Sequence, residues 1–418
     1  MSVRLTTLDN GLRVVTDTMT MVETVSVGAW VDAGARHEHP SINGISHMLE
    51  HMAFKGTRRR SARDIATEIE AVGGHVNAYT SREHTAFYAK MLKEDMPLAL
   101  DIIADILQNS VMDAEELDRE RTVILQEIHQ SHDTPDDIVF DFFQQTAFPD
   151  QAVGRPVLGT IDLVSNFNRQ TLIDYMAAQY APPSIIIAAA GNIDHDMFVD
   201  LANNAFTNLP EHNNREVEPA VYHGGDYRSH RDLEQVHCLM GFDGLAYNDP
   251  DYHAASVYTT LLGGGMSSRL FQEIREARGL VYSVYSFVSS FQDGGIFGVY
   301  AGTGEQEIKE VVPLLCDELM RSTLDISEEE TTRARAQLKA SILMSLESTS
   351  SRCEQAARQL LVYNRIIPLE ETVAKIEAVD AAAVMRAAKR ILESTLTLTA
   401  LGPLKELETY DAVTKRLA

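Results

Sequence analysis

Cysteine is scarce in this chain of 418 residues: there are three, Cys238, Cys316 and Cys353, odd in number, widely spaced and all in the second half. They make neither a disulfide framework nor a zinc knuckle, and read as buried, reduced thiols of a cytosolic protein. Basic residues are also few, 36 Lys and Arg against 61 Asp and Glu, for a formal net charge of −25. So negative a surface disfavours a nucleic-acid backbone or an anionic membrane as partner and favours basic or neutral ones. No stretch approaches the apolar length of a membrane span, and Met1 to Thr20 lacks the apolar core of a signal peptide. The localisation expected is therefore cytoplasmic. Neither a Gly-x-Ser-x-Gly elbow nor a cysteine in nucleophile surroundings is found. Gly263-Gly264-Gly265 lacks the Gly-Lys-Ser/Thr of a phosphate loop and reads as a helix-ending turn. What is present is an apolar fraction of 44%, ordinary for a globular protein, at a length that suggests two domains of about 200 residues.

A strand pattern at Thr24 to Val31 is followed by an apolar-periodic helix over Ile45–Phe54, ending at Lys55-Gly56, and by another over Ser61–Val72, ending at Gly73-Gly74. Residues 75–91 alternate and read as a hairpin. Helices follow near 95–110 and 113–132, the second opening with the capping pattern Asp113 and Glu116. Ser184 to Ala190 reads as a buried strand, and the polar stretch around Pro210, Asn213, Asn214, Pro219 and Gly224-Gly225 as a linker. The second half replays the first about 210 residues later: Val25–Gly34 is echoed by Gln235–Gly244, and Asp113-Ala-Glu-Glu by Ser327-Glu-Glu-Glu. The expected fold class is α+β, with two related domains, each a mostly antiparallel mixed sheet with helices packed on one face. The expected division is 1–208, a linker at 209–226, and 227–418.

The strongest local signal is His47-Met48-Leu49-Glu50-His51. Residues i and i+4 of a helix face the same way, so both imidazoles can reach one metal ion, with Glu50 on that side beside a water. Two imidazoles and a carboxylate with one open position make a catalytic zinc site, and Glu50 is placed to move the water's proton. The helix from Asp113 offers the third ligand: Glu120 and Glu127 lie seven residues apart, about 20° short of two turns. Val123, Ile124 and Ile128 mark that side as buried. Spacing alone leaves open an ordinary ion pair on the first helix and a partly exposed acidic face on the second. The histidines at 75, 84, 129 and 132 are weaker candidates, and Arg58-Arg59-Arg60 reads as a solvated loop.

These residues resemble the inverted zincins of the pitrilysin, insulin-degrading enzyme and mitochondrial processing peptidase group, the M16 peptidases, whose His-x-x-Glu-His is followed about 76 residues later by a liganding glutamate. The resemblance covers essentially the whole chain and implies the metallopeptidase LuxS/MPP-like fold. It also implies Zn²⁺ as cofactor, held by His47, His51 and Glu127, with Glu50 as general base and Glu120 as the carboxylate behind the ligands. Gly74-His-Val-Asn-Ala-Tyr-Thr80 resembles the family's substrate-facing edge strand, making Asn77 and Ala78 substrate contacts through main-chain hydrogen bonds. Gly263 to Phe271 followed by Glu273 to Tyr282 resembles the hallmark of the second domain, in which Arg275 and Tyr282 would hold the substrate. Asp137 and Asp141 match two acids that, in the processing-peptidase branch, receive a basic residue. The second half has no His-x-x-Glu-His, and Ser341 stands where Glu127 would.

The resemblance implies a zinc endopeptidase acting on extended peptides or presequence-like segments in an enclosed chamber. At two-domain size the chamber would be completed by a second subunit. A homodimer is expected, with a heterodimer as the alternative and a non-catalytic scaffold as the reading from another class.

Overall fold

Val25 to Val31 are buried without interruption, as a strand covered on both faces requires. That strand lies inside a six-stranded sheet in the computed structural model of the protein, which describes residues 3–211 and 217–418. The strands are β1 (Val3–Thr7), β2 (Arg13–Thr18), β3 (Thr24–Val31), β4 (His75–Thr80), β5 (Thr85–Leu92) and β6 (Ile185–Gly191), in the order β1-β2-β6-β3-β5-β4. Only β2 and β6 run parallel; the other neighbours are antiparallel. The hairpin read at 75–91 is β4–β5, in register from His75 opposite Lys90 to Thr80 opposite Thr85. β4 is an edge strand.

The second sheet has β7 (Gly225–His230), β8 (Val236–Asp243), β9 (Val281–Ser290), β10 (Gly295–Thr303) and β11 (Thr397–Gly402), in the order β7-β11-β8-β10-β9. It again has one parallel pair, β7 with β11, so it repeats β2-β6-β3-β5-β4 strand for strand. β8 takes the place of β3, which is the echo of Val25–Gly34 in Gln235–Gly244.

The helices that concern the site are α1 (Ile45–Ala53), α2 (Ala62–Ala71), α3 (Met96–Asn109), α4 (Ala114–His132) and α5 (Pro135–Ala147). Ser61 caps α2 through the amide of Asp64, whose carboxylate returns the bond to Ser61, a complete capping box. Asp113 caps α4 through the amides of Glu115 and Glu116, while the Glu116 carboxylate pairs with Arg119. The triple glycine ends helix Tyr252–Gly263 as read, and the three cysteines are free and buried.

The chain forms two compact units. One comprises Met1–His129, Arg155–Glu218 and Leu343–Pro368; the other comprises Gln130–Gly154, Pro219–Ile342 and Leu369–Ala418. The division expected at 209–226 follows chain order, whereas each unit also takes a helical segment from the opposite half; residues 212–216 of that linker lie outside the described residues. In the first unit, α1 and α3 share a core with one face of the sheet. Helix Thr349–Tyr363 closes the other face, where Cys353, Ala356, Ala357 and Leu360 meet Val15, Trp30, Ala86 and Ile186. In the second unit, α5 plays that part, with Ile138, Val139 and Phe143 against Leu239, Ile296 and Leu401. To the helices expected on one face, the fold thus adds one on the opposite face of each sheet. No helix among the described residues is long and apolar enough to cross a membrane.

Arg58-Arg59-Arg60 is a loop in which Arg58 and Arg59 are exposed, as read, but Arg60 is largely covered and Arg59 and Arg60 are tied to acids. Arg60 bonds Glu68, Asp101 and Asp105 at 2.6–3.0 Å, and Arg59 bonds Asp101 and Asp105. Asp105 is buried on α3 and also accepts from Thr57 and Asn109. A buried carboxylate needs such partners, and Asp101 and Asp105 lie on a helix some 45 residues beyond the arginines, which no local reading of the arginines reveals.

Candidate metal centre

α1 is short and amphipathic. Ile45, Met48, Leu49 and Met52 face the core, which turns His47, Glu50 and His51 together toward the other side. The two imidazole rings lie edge to face with centroids 4.7 Å apart. α4 buries Leu117, Glu120, Ile124 and Ile128 and brings Glu127 to the histidines: its Oε2 is 3.7 Å from His47 Nε2 and 3.6 Å from His51 Nε2. Among the described residues this is the one group of three such side chains placed to share an ion. Val123, read as part of the buried side, is instead 39% exposed. It lies about 60° further from the Leu117–Ile124–Ile128 line than a core position allows.

The donors fit zinc. Ligand atoms about 2.0–2.1 Å from a tetrahedral zinc ion stand about 3.3 Å from one another, so the observed separations are close to those of a preformed site. Burial, then the neighbouring His51, pushes His47 down to about 4, so it is neutral at pH 7, as a ligand must be. His51 Nδ1 is 2.9 Å from Glu120 Oε2, and Lys55 Nζ is 2.6 Å from Glu120 Oε1. A carboxylate only accepts, so the proton of His51 sits on Nδ1 and the Nε2 lone pair is left facing Glu127. Burial works to raise the Glu120 pKa, but the bonds from Lys55 and His51 outweigh it and hold the carboxylate below its ordinary value. His47 Nδ1 is buried without a hydrogen-bond partner.

Glu50 lies on the same helix face, and its Oε2 accepts from Thr80 Oγ1 at 2.6 Å. Burial raises its pKa and the Thr80 bond pulls it back in part. The effect is a carboxylate more basic than one in water, held in place by the last residue of the edge strand. Lys55 and Thr80 escaped the sequence reading, although Lys55, four residues after His51, was within reach of a helix-periodicity argument.

Asn77 and Ala78 lie on β4 at the sheet edge, Asn77 exposed and Ala78 buried; the Ala78 amide bonds Asn77 Oδ1 at 2.9 Å. His84 packs behind that strand against Tyr79 and Ser81, and burial, then Arg358, pushes it down to about 4. His75 and His129 are exposed and join no metal cluster. In the second unit, Arg275 and Tyr282 come together: the guanidinium lies 4.8 Å from the Phe271 ring centroid and 6.0 Å from that of Tyr282. Arg275 sits in the π-helical turn Phe271–Glu276, a local irregularity common at functional positions. Asp137 and Asp141 lie one turn apart on α5, with Asp137 accepting from Ser131.

Comparison with known proteins gives the family. Residues 13–161 match the model of the insulinase family, peptidase family M16, and residues 166–338 match that of the peptidase M16 inactive domain. A protein of Streptomyces coelicolor called an uncharacterized zinc protease is 40% identical, over 99% of this chain and 93% of that one. A probable mitochondrial-processing peptidase subunit beta of Arabidopsis thaliana is 39% identical, over 99% and 81%. Among solved structures, a protease from Helicobacter pylori shares the fold with a TM-score of 0.88 at 23% identity, covering 96% of this chain and 99% of that one. The chain belongs to the M16 peptidase family.

Proposed function

We propose that the chain is a zinc-dependent endopeptidase that hydrolyses extended peptides. The observation that carries this is the convergence of His47, His51 and Glu127 from two helices, with the His51 ring oriented by Glu120. The names of the Streptomyces and Arabidopsis relatives, a zinc protease and a processing-peptidase subunit, support both the metal and the substrate class.

When bound, zinc supplies Lewis acidity toward a carbonyl and lowers the pKa of a water to near 7. Glu50 takes the proton of the attacking water and passes it to the leaving amine; Thr80 fixes its orientation and burial raises its basicity. The peptide adds to the open edge of β4 beside Asn77 and Ala78, through main-chain bonds that tolerate many sequences. Arg275 and Tyr282 hold the peptide backbone, a role supported by their pairing and by the exposure of both side chains. Glu120 acts through His51 rather than on substrate.

A preference for basic, presequence-like peptides is supported by the charge distribution. Residues 113–150 contain eleven acids against Arg119 and Arg121, and Asp137 and Asp141 are among them. For assembly we propose a homodimer enclosing the reaction chamber, since one chain carries both the metal residues and the Arg275/Tyr282 pair. The Arabidopsis relative, named a beta subunit, supports a heterodimer as the second reading.

The test is zinc content together with cleavage of a quenched basic peptide by the purified chain, wild type against Glu50→Gln, with mass measured by light scattering. Stoichiometric zinc, chelator-sensitive cleavage and a loss of at least about 10²-fold in Glu50→Gln are expected. A zinc-loaded chain that cleaves nothing, or a fully active variant, overturns the peptidase reading. Activity at monomer mass overturns the dimer.

A further inference from the structure

Glu38 follows the short turn Ala35–His37, nine residues before His47, and nothing in its sequence surroundings marks it. In the fold it is 3% exposed. Its carboxylate accepts three hydrogen bonds, each 2.8 Å: Oε2 from Asn43 Nδ2 and the Gly44 amide, and Oε1 from the Ser46 amide. All three partners are donors, which is the environment of an ionised carboxylate; a protonated carboxyl would need an acceptor. Burial raises its pKa, and these bonds pull it back only in part.

The amides of Gly44 and Ser46 belong to the start of α1, where N–H groups have no partner inside the helix. Gly44, the N-cap, has no side chain to satisfy them. Nor is a capping side chain affordable there: Gly44 has φ +98°, and a Cβ would stand 2.8 Å from Gly159 Cα and Leu158 O. Glu38 therefore does from outside the helix what an N-cap residue does from within. The same turn is gripped twice more. Ser46 Oγ bonds Tyr175 Oη at 2.7 Å, and Asn43 Nδ2 also donates to Pro156 O at 3.0 Å. Arg155 in turn bonds the Glu38 carbonyl at 2.6 Å.

We propose that Glu38 is a positioning residue for the metal centre: its buried carboxylate locks the first turn of α1, and so presets the rings of His47 and His51. The proposal rests on the zinc-peptidase reading above. Ser46 and His47 are adjacent, so any slack at the Ser46 amide passes directly to the first ligand. Residues that orient ligands are commonly worth 10–100-fold in metal affinity.

The experiment compares wild type, Glu38→Gln and Glu38→Asp as full chains. Hydrogen exchange is followed in the metal-free protein, zinc affinity by chelator competition, and the thermal midpoint alongside. Glu38→Gln is expected to speed exchange at residues 44–48 about tenfold or more, with β3 and β6 unchanged, and to weaken zinc binding about 10–100-fold. Glu38→Asp, which keeps the charge but is one methylene shorter, should fall between. Unchanged zinc affinity overturns the proposal, as does loss of protection spread evenly through β3, β6 and α1, which marks a purely structural acid. If Glu38→Gln does not fold, Glu38→Asp decides: weakened zinc binding in a folded protein supports the proposal, and wild-type affinity overturns it. A wild-type chain that binds no zinc refutes the peptidase reading by itself, and the proposal with it; the exchange pattern at 44–48 would then still separate a pinned helix from an unpinned one.

Discussion

Replacing Glu120 with glutamine tests the chemistry behind the ligands without altering a ligand. The native carboxylate faces two donors at once, His51 Nδ1 at 2.9 Å and Lys55 Nζ at 2.6 Å. Glutamine has one acceptor oxygen and an amide that only donates, so either His51 loses its orienting partner or the Lys55 ammonium meets another donor. The side chain is buried, so water does not make up the difference. A 10–100-fold loss of zinc affinity, about 1.4–2.7 kcal/mol, is expected. At free zinc 1,000 times the wild-type Kd, binding stabilises the wild type by about 4.1 kcal/mol, and a tenfold weaker variant by about 2.7. For a unit of this size that difference shrinks the zinc-induced rise in Tm by about 3–6 °C. Chelator competition at pH 7.5 and paired melts with and without zinc measure both quantities. A variant whose affinity stays within twofold of wild type, with the same zinc-induced rise, would refute the claim that Glu120 acts through His51.

Arg60→Met should destabilise the first unit by about 2–3 kcal/mol, because Asp105 loses a charged partner while keeping Thr57, Arg59 and Asn109; urea unfolding that shows under 0.5 kcal/mol would return Arg60 to the solvated loop. Ile124→Ala, at a fully buried site on α4, should cost about 2–5 kcal/mol, whereas Val123→Ala one residue earlier should stay within about 0.5. Equal losses in those two variants would contradict the helix orientation that delivers Glu127. At Glu330, burial opposes the charge, but bonds from Arg269 and Ser327 prevail and hold the carboxylate down to about 2. A depressed acid stabilises fully above its unfolded value of about 4.5 and loses that contribution as the pH falls toward 2. Its partial exposure limits the effect to about 1–2 kcal/mol, so Glu330→Gln should flatten the acid limb of the stability curve between pH 5 and 2.5, and an unchanged limb would exclude the pair as its source.

Much of the architecture was legible because it is local. The 3.6-residue period around His47 and His51, the stop at Gly56 and the capping Asp113 each follow from a few neighbouring residues. The echo at Gln235 held enough of a strand and its glycine turn to expose a repeated sheet. What escaped depends on partners distant in the chain. Val123 was misplaced because spacing on α4 does not say which flank of an apolar stripe meets the core. The pairing of Arg59 and Arg60 escaped because Asp101 and Asp105 enter from α3. Glu38 and Thr80 are ordinary residues until folding brings a helix start and a general base against them. The helices on the far faces of the sheets were invisible for the same reason, their contact surfaces lying up to some 340 residues from the strands they cover.

That last arrangement sets an order of events during synthesis. Ribosomes deliver the chain from the N-terminus, and an early domain ordinarily closes as soon as its last strand has emerged. Here β6 is complete at Gly191, yet Val15, Trp30, Ala86 and Ile186 remain open to solvent until Cys353, Ala356, Ala357 and Leu360 have been made. At about 5–20 residues per second, the sheet bearing the metal residues waits on the order of ten seconds or more with one apolar face uncovered. Throughout that interval the nascent chain carries uncovered apolar surface of the kind that invites aggregation, and a chain ending ahead of residue 349 would lack the helix that covers it.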